Sequence, residues 1–203
     1  MTNRLGVAAC VVTVFTVAGL AAPLRGGPAN DTPAKEGVEA KAAFAKLKTL
    51  VGSWKSKTSD EHKEESKKEH EGGNPDDVSV TFKLTGAGSA LVETQFPGMP
   101  HEMVSVYHLD GKELRMTHYC AAGNQPRVKL DREKSTPDEL IFVFDGGTNL
   151  DPAKDMHIHG VRIKFEKNGG VSSAWDGYVD GKKAQTTTFN MTRKDASPSA
   201  SPH

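Results

Sequence analysis

The sequence predicts an all-β fold, an antiparallel up-and-down β-barrel of about ten strands with one short N-terminal helix, and three observations predict it. From Gly52 onward, apolar residues recur at every second position up to the region of Arg193. Turn residues that tolerate positive φ separate these runs, at Gly86-Ala87-Gly88, Asp110-Gly111, Asn168-Gly169-Gly170 and Asp180-Gly181. Before Gly52 the period is helical instead. A meander of many short strands leaves two unpaired edges unless it closes, and closure into a barrel removes both.

The elements follow in chain order. Arg4 and the apolar run Leu5 to Ala22 form a targeting segment, residues 1–22, in which Gly19 and Ala21 suit cleavage after Ala21. Left uncut, the same run is a membrane anchor, and it is the chain's one expected membrane contact. Either way the protein is expected to be exported, periplasmic or secreted. Residues 23–36, rich in Pro, Gly and Ala, read as a flexible tether, and 195–203, "DASPSASPH", as a disordered tail. Between them, 37–194 is long enough for one domain with a packed core.

Within that domain Val38, Ala42, Ala45, Leu47, Leu50 and Val51 approximate one stripe of a helix that Gly52 stops. Strands are expected near 52–58, 78–84, 89–96, 102–109, 112–119, 126–131, 139–145, 157–166, 171–179 and 184–193. The segment 59–77 contains no apolar residue at all and reads as a solvated, charged loop.

Composition narrows the function. The 26 basic and 26 acidic residues balance, and no basic stripe stands out, so a nucleic-acid surface is excluded. Cys10 falls in the targeting segment, which leaves Cys120 alone in the mature chain. An exported domain with one cysteine draws its stability from packing, not from an intrachain disulfide. Cys120 itself reads as a buried, inert thiol.

"FAKLKTLVGSWKSK", a helix running into Gly52-Ser53-Trp54, resembles the Gly-x-Trp start of the calycin superfamily: lipocalins, fatty-acid-binding proteins and nitrobindin-like barrels. The resemblance implies a barrel closed by a basic residue of the last strand packed over that Trp, and "TTTFNMTRK" offers Arg193. Ten strands are closer to the nitrobindin-like and fatty-acid-binding branches than to an eight-stranded lipocalin. "MTHYCAAGNQPRV" and "HIHG" are similar to stretches of exported bacterial lipocalin-like proteins of unassigned function. Nitrobindin-like barrels hold haem through a histidine near their C-terminal end, whereas residues 171–193 contain no histidine. No cofactor is therefore identified, and oligomeric state is left open.

The candidate site residues are His118, His157, His159, Tyr178 and Tyr107. His157 and His159 lie two apart in a strand that continues through Val161 and Ile163, so both rings share that apolar row's face. A two-residue Asp110-Gly111 loop would set Leu109 opposite Lys112, Tyr107 opposite Leu114 and Met103 opposite His118, turning His118 inward and His108 outward. An Asn168-Gly169 loop would set Val161 opposite Asp176 and His159 opposite Tyr178, unless a bulge at Gly160 intervenes. Asn124, Gln125 and Arg127 would stand near one barrel mouth. Three functions fit these residues. The first is binding of a small, mainly apolar molecule inside the barrel, with the histidines and tyrosines as polar contacts. The second is a metal-dependent enzyme with His118, His157 and His159 as three nitrogen ligands and an open position for water. The third is a structural or interaction module whose interior is filled.

Overall fold

The computed structural model describes residues 37–60 and 78–194; the expected targeting segment, tether, most of the charged loop and the tail lie outside the described residues. The first element is helix α1, Ala40–Lys48. Its sequence AKAAFAKLK holds strong helix formers and no β-branched residue, and Lys46 and Lys48 stand in the last turn, where cations suit the helix dipole. The buried face is Ala40, Ala43, Phe44 and Leu47, spaced i, i+3, i+4 and i+7. This differs from the expected stripe, since Ala42 and Ala45 are exposed. Phe44 carries the largest apolar surface of the helix, and burying it rotates its two alanine neighbours toward solvent.

Ten strands follow: β1 (Gly52–Asp60), β2 (Val78–Thr85), β3 (Ala90–Gln95), β4 (Met103–Asp110), β5 (Glu113–Tyr119), β6 (Gln125–Leu130), β7 (Glu139–Thr148), β8 (His157–Phe165), β9 (Val171–Val179) and β10 (Lys182–Arg193). Each pairs antiparallel with its neighbour in sequence, and β1 pairs with β10 to close the barrel. Trp54 faces Arg193 across that seam. The guanidinium lies 4.4 Å from the indole ring, while Nη1 and Nη2 donate 2.8 Å bonds to the carbonyls of Val51 and Thr49. Arg193 thus joins the last strand to the end of α1 and the start of β1, in the place expected of it.

Alternation along the strands builds the core. β3 runs half-buried, buried, and so on through Leu91, Glu93 and Gln95, and β5 buries Leu114, Met116 and His118. Leu91, Tyr107, Leu114, Phe142, Ile163 and Trp175 belong to one contiguous cluster that also takes in the helix residues Phe44 and Leu47. Each such aromatic or aliphatic side chain contributes about 1.5–3 kcal/mol by leaving water. α1 lies at the barrel end formed by the β4–β5, β6–β7 and β8–β9 connections: Val38 N–H donates to Arg132 O at 2.9 Å, and Lys46 pairs with Asp138 and sits over the Phe165 ring.

Two registers differ from expectation, with different consequences. In the β4–β5 hairpin the loop is Gly111-Lys112, so Tyr107 faces Met116, Ser105 faces His118 and Asp110 faces Glu113. Gly111 takes the positive φ of 59° that the turn requires. The pairing slides by two residues, an even number, and every side chain keeps its expected face. His118 is buried inside and His108 alternates outward. Between β8 and β9 the connection spans 166–170, because Gly170 N–H bonds the Asn168 side chain and Glu166 N–H bonds Gly170 O. This odd change of one puts Trp175, not Asp176, opposite Val161. Asp176 and Tyr178 therefore leave the interior row in which they were expected. The bulge anticipated at Gly160 is present, between Ile158 and Gly160, and it sets His157 rather than His159 opposite Tyr178.

Candidate functional site

A row of five buried polar side chains falls on three adjacent strands. Register places Glu93, Ser105 and His118 side by side across β3, β4 and β5. Gln95 and Tyr107 stand two residues along on the same inward faces, and all five are at most 2% exposed. Tyr107 OH donates to Glu93 Oε2 at 2.6 Å, and Gln95 Nε2 donates to Glu93 Oε1 at 3.0 Å. Ser105 Oγ lies 2.9 Å from His118 Nδ1. His118 packs against Trp175, ring centroids 5.1 Å apart, and the Trp175 indole N–H donates to Ser173 Oγ at 3.0 Å.

Burial decides the electrostatics of this row. Desolvation raises the Glu93 carboxyl above its ordinary range and outweighs the two hydrogen bonds, which act in the opposite direction. Desolvation, then the charge and hydrogen bond of Glu93, push the Tyr107 phenol well up. His118 is lowered to about 4 by desolvation, so its ring is neutral at pH 7. Among the described residues, no Lys or Arg forms an ion pair with Glu93.

A second group gathers at the bulge, at the barrel end away from α1. His157, fully buried, has Nδ1 2.8 Å from Asp155 O and Nε2 3.0 Å from His159 Nδ1. A carbonyl can only accept, so His157 Nδ1 carries the proton. In the neutral ring His157 Nε2 is then an acceptor, His159 Nδ1 is its donor, and His159 Nε2 keeps its lone pair. The His159 ring stacks on Phe144 at 4.5 Å and on Tyr178 at 4.0 Å. Desolvation and the neighbouring His157 lower its pKa, and Asp176 opposes them.

Three of the five expected site residues, His157, His159 and Tyr178, thus touch one another, while the other two lie apart from them, Tyr107 against Glu93 and His118 against Ser105 and Trp175. The expected three-histidine metal set is not assembled. His118 shares no partner with the other two, His157 and His159 turn nitrogen toward each other, and among the described residues no group of three His, Cys, Asp or Glu side chains is placed to hold a metal ion. The loop candidates act as braces. Asn124 Nδ2 donates to Met156 O at 2.7 Å, Gln125 Oε1 accepts from Thr148 and Asn149, and Arg127 is exposed. Cys120 is a free thiol, partly exposed rather than buried, because β5 ends one residue before it.

Sequence reasoning missed Glu93 and Gln95. Their signal was the period-two phase of "ALVETQ", in which Leu91, Glu93 and Gln95 share one face. No protein-family model matches the chain, and no curated protein matches it. The fold and the site define the class: a ten-stranded, all-antiparallel closed β-barrel with an acid, a phenol and an imidazole inside.

Proposed function

We propose that this chain is an exported, calycin-like barrel that binds a small, mainly apolar molecule in its interior. The observation that carries this reading is closure with ten strands. Barrel diameter grows with strand number, and eight strands already give an interior that side chains alone can fill or that holds one small ligand. Ten strands enclose more room, and the polar groups Glu93, Tyr107 and His118 sit among apolar neighbours there, as in a site that orients a mostly apolar guest.

Two further features support the same reading. The helix occupies one end, while the connections at the other end carry the exposed apolar residues Met99, Tyr119, Met156 and Val179, a surface suited to passage of an apolar molecule. The His157–His159 pair and Tyr178 stand at that same end, at the bulge. The Trp54–Arg193 pairing supports the calycin-like assignment, and the N-terminal apolar run supports export.

The test is native mass spectrometry of the mature chain purified untagged from an exporting host, with solvent extraction of the same sample. A stoichiometric organic mass, released on unfolding, is expected. A bare polypeptide that also leaves a neutral apolar fluorescent probe such as N-phenyl-1-naphthylamine unbound in its folded state overturns the reading.

A further inference from the structure

Glu93 is the one carboxyl in the described core, and its surroundings supply no positive charge. Its cross-strand neighbours are Phe82 on β2 and Ser105 on β4, and its hydrogen-bond partners are Tyr107 and Gln95. All four are neutral. The ring beyond Ser105, His118, is neutral at pH 7 as well. An ionised carboxylate has about four acceptor positions. Tyr107 and Gln95 occupy one on each oxygen, which leaves both oxygens able to accept again. A buried acid without a cation or metal beside it is costly as the carboxylate and gains by holding its proton, the direction in which burial shifts Glu93. Here neither partner is supplied by the described chain.

We infer that the molecule bound in the barrel carries a cationic nitrogen head, a primary ammonium or an amidinium, seated on the Glu93 carboxylate beside Ser105. This inference rests on the ligand-binding reading above and names the chemistry of its guest. The head supplies the charge that the protein does not, and its N–H groups meet the unused acceptor positions of the two carboxylate oxygens and Ser105 Oγ. The apolar remainder lies along the surrounding hydrocarbon. An anionic head, such as a fatty acid's, meets the acid directly and is repelled, so the barrel discriminates by sign of charge.

Octylamine, octan-1-ol and octanoate have matched chains and differ in head charge. Each is titrated into the mature chain at pH 7, with calorimetry and tryptophan fluorescence as readouts, the latter because Trp175 stands beside His118 in the interior. Octylamine is expected to bind at least about tenfold tighter than octanol, and octanoate weakest. Glu93→Gln keeps the shape and removes the charge, and it is expected to weaken octylamine by about thirtyfold or more with octanol little changed. The comparison of the three heads in the unaltered chain serves where the Gln variant does not fold. Equal binding of the three, or an amine preference that survives Glu93→Gln, overturns the cationic head while leaving a ligand-binding barrel. Binding of none of the three, together with a bare mass from the native host, overturns both.

Discussion

Acidification offers a direct test of where His118 sits. Its ring is 1% exposed and its pKa falls from the ordinary 6.5 to about 4. Between those values the unfolded chain binds a proton that the folded chain does not, so the unfolded state gains as pH falls. The stabilisation is complete above the unfolded pKa and is lost as pH drops through 6.5 toward 4. A separation of about 2.5 pH units corresponds to about 3 kcal/mol at 1.36 kcal/mol per unit. Glu93 has the opposite sign: a raised folded pKa gives stability at low pH that fades as pH rises above its ordinary value. A comparison of variants separates the two. His118→Asn retains a polar atom near the Nδ1 position facing Ser105 but does not titrate, and Glu93 is present on both sides of the comparison. Urea unfolding followed by tryptophan fluorescence from pH 7 to pH 4 is expected to show wild-type stability falling relative to the variant by about 3 kcal/mol, a midpoint convergence of roughly 1–2 M. Parallel curves across that range refute the argument, because they mean that the ring is solvated or paired when protonated.

Two further substitutions test the seam and the bulge. Arg193→Ala removes the contact with Trp54 and both carbonyl bonds; discounted for the exposure of the guanidinium, a loss of about 1–3 kcal/mol is expected in urea melts. Arg193→Lys recovers less than half of it, since an ammonium lacks the planar fork that spans two carbonyls; full recovery contradicts the assignment. At the bulge, His159→Phe keeps a ring between Phe144 and Tyr178 but leaves the buried His157 Nε2 without its donor, with an expected cost of about 1–3 kcal/mol in thermal or urea unfolding. Unchanged stability there contradicts the proton placement derived for the pair.

The strands were legible because alternation and turn residues are local signals. Gly111 and Gly169 marked their turns, but the number of residues in each connection depends on hydrogen bonds that the sequence does not display, such as Gly170 N–H to Asn168. That difference was harmless at His118, where the slide was even, and decisive at Tyr178, where it was odd. Helix phase failed at Ala42 and Ala45 for a related reason. A stripe of small residues defines its face weakly, and Phe44 packing against the barrel settled it. Within the site, His118 was legible as inward, whereas the phase of His157 and His159 turned on the bulge beside Gly160, and the three-nitrogen metal set required distances between strands that periodicity cannot supply. Glu93 was overlooked because a lone acid in a strand reads as solvent-facing, although its phase with Leu91 said otherwise.

Nine of the ten strand pairings join consecutive strands, and the tenth joins the first to the last. The nine are short-range closures that can zip one hairpin at a time, while the β1–β10 seam must span nearly the whole domain and carries the largest loop-closure entropy. The seam is accordingly the step expected last in folding and first in unfolding. Interactions formed after the transition state act chiefly on the unfolding rate. The Arg193–Trp54 contact lies on this seam, so its effect belongs to the lifetime of the folded barrel more than to the speed of its assembly. Resistance to a protease that acts on the opened barrel would then be tuned at one end of this seam, between Trp54 and Arg193.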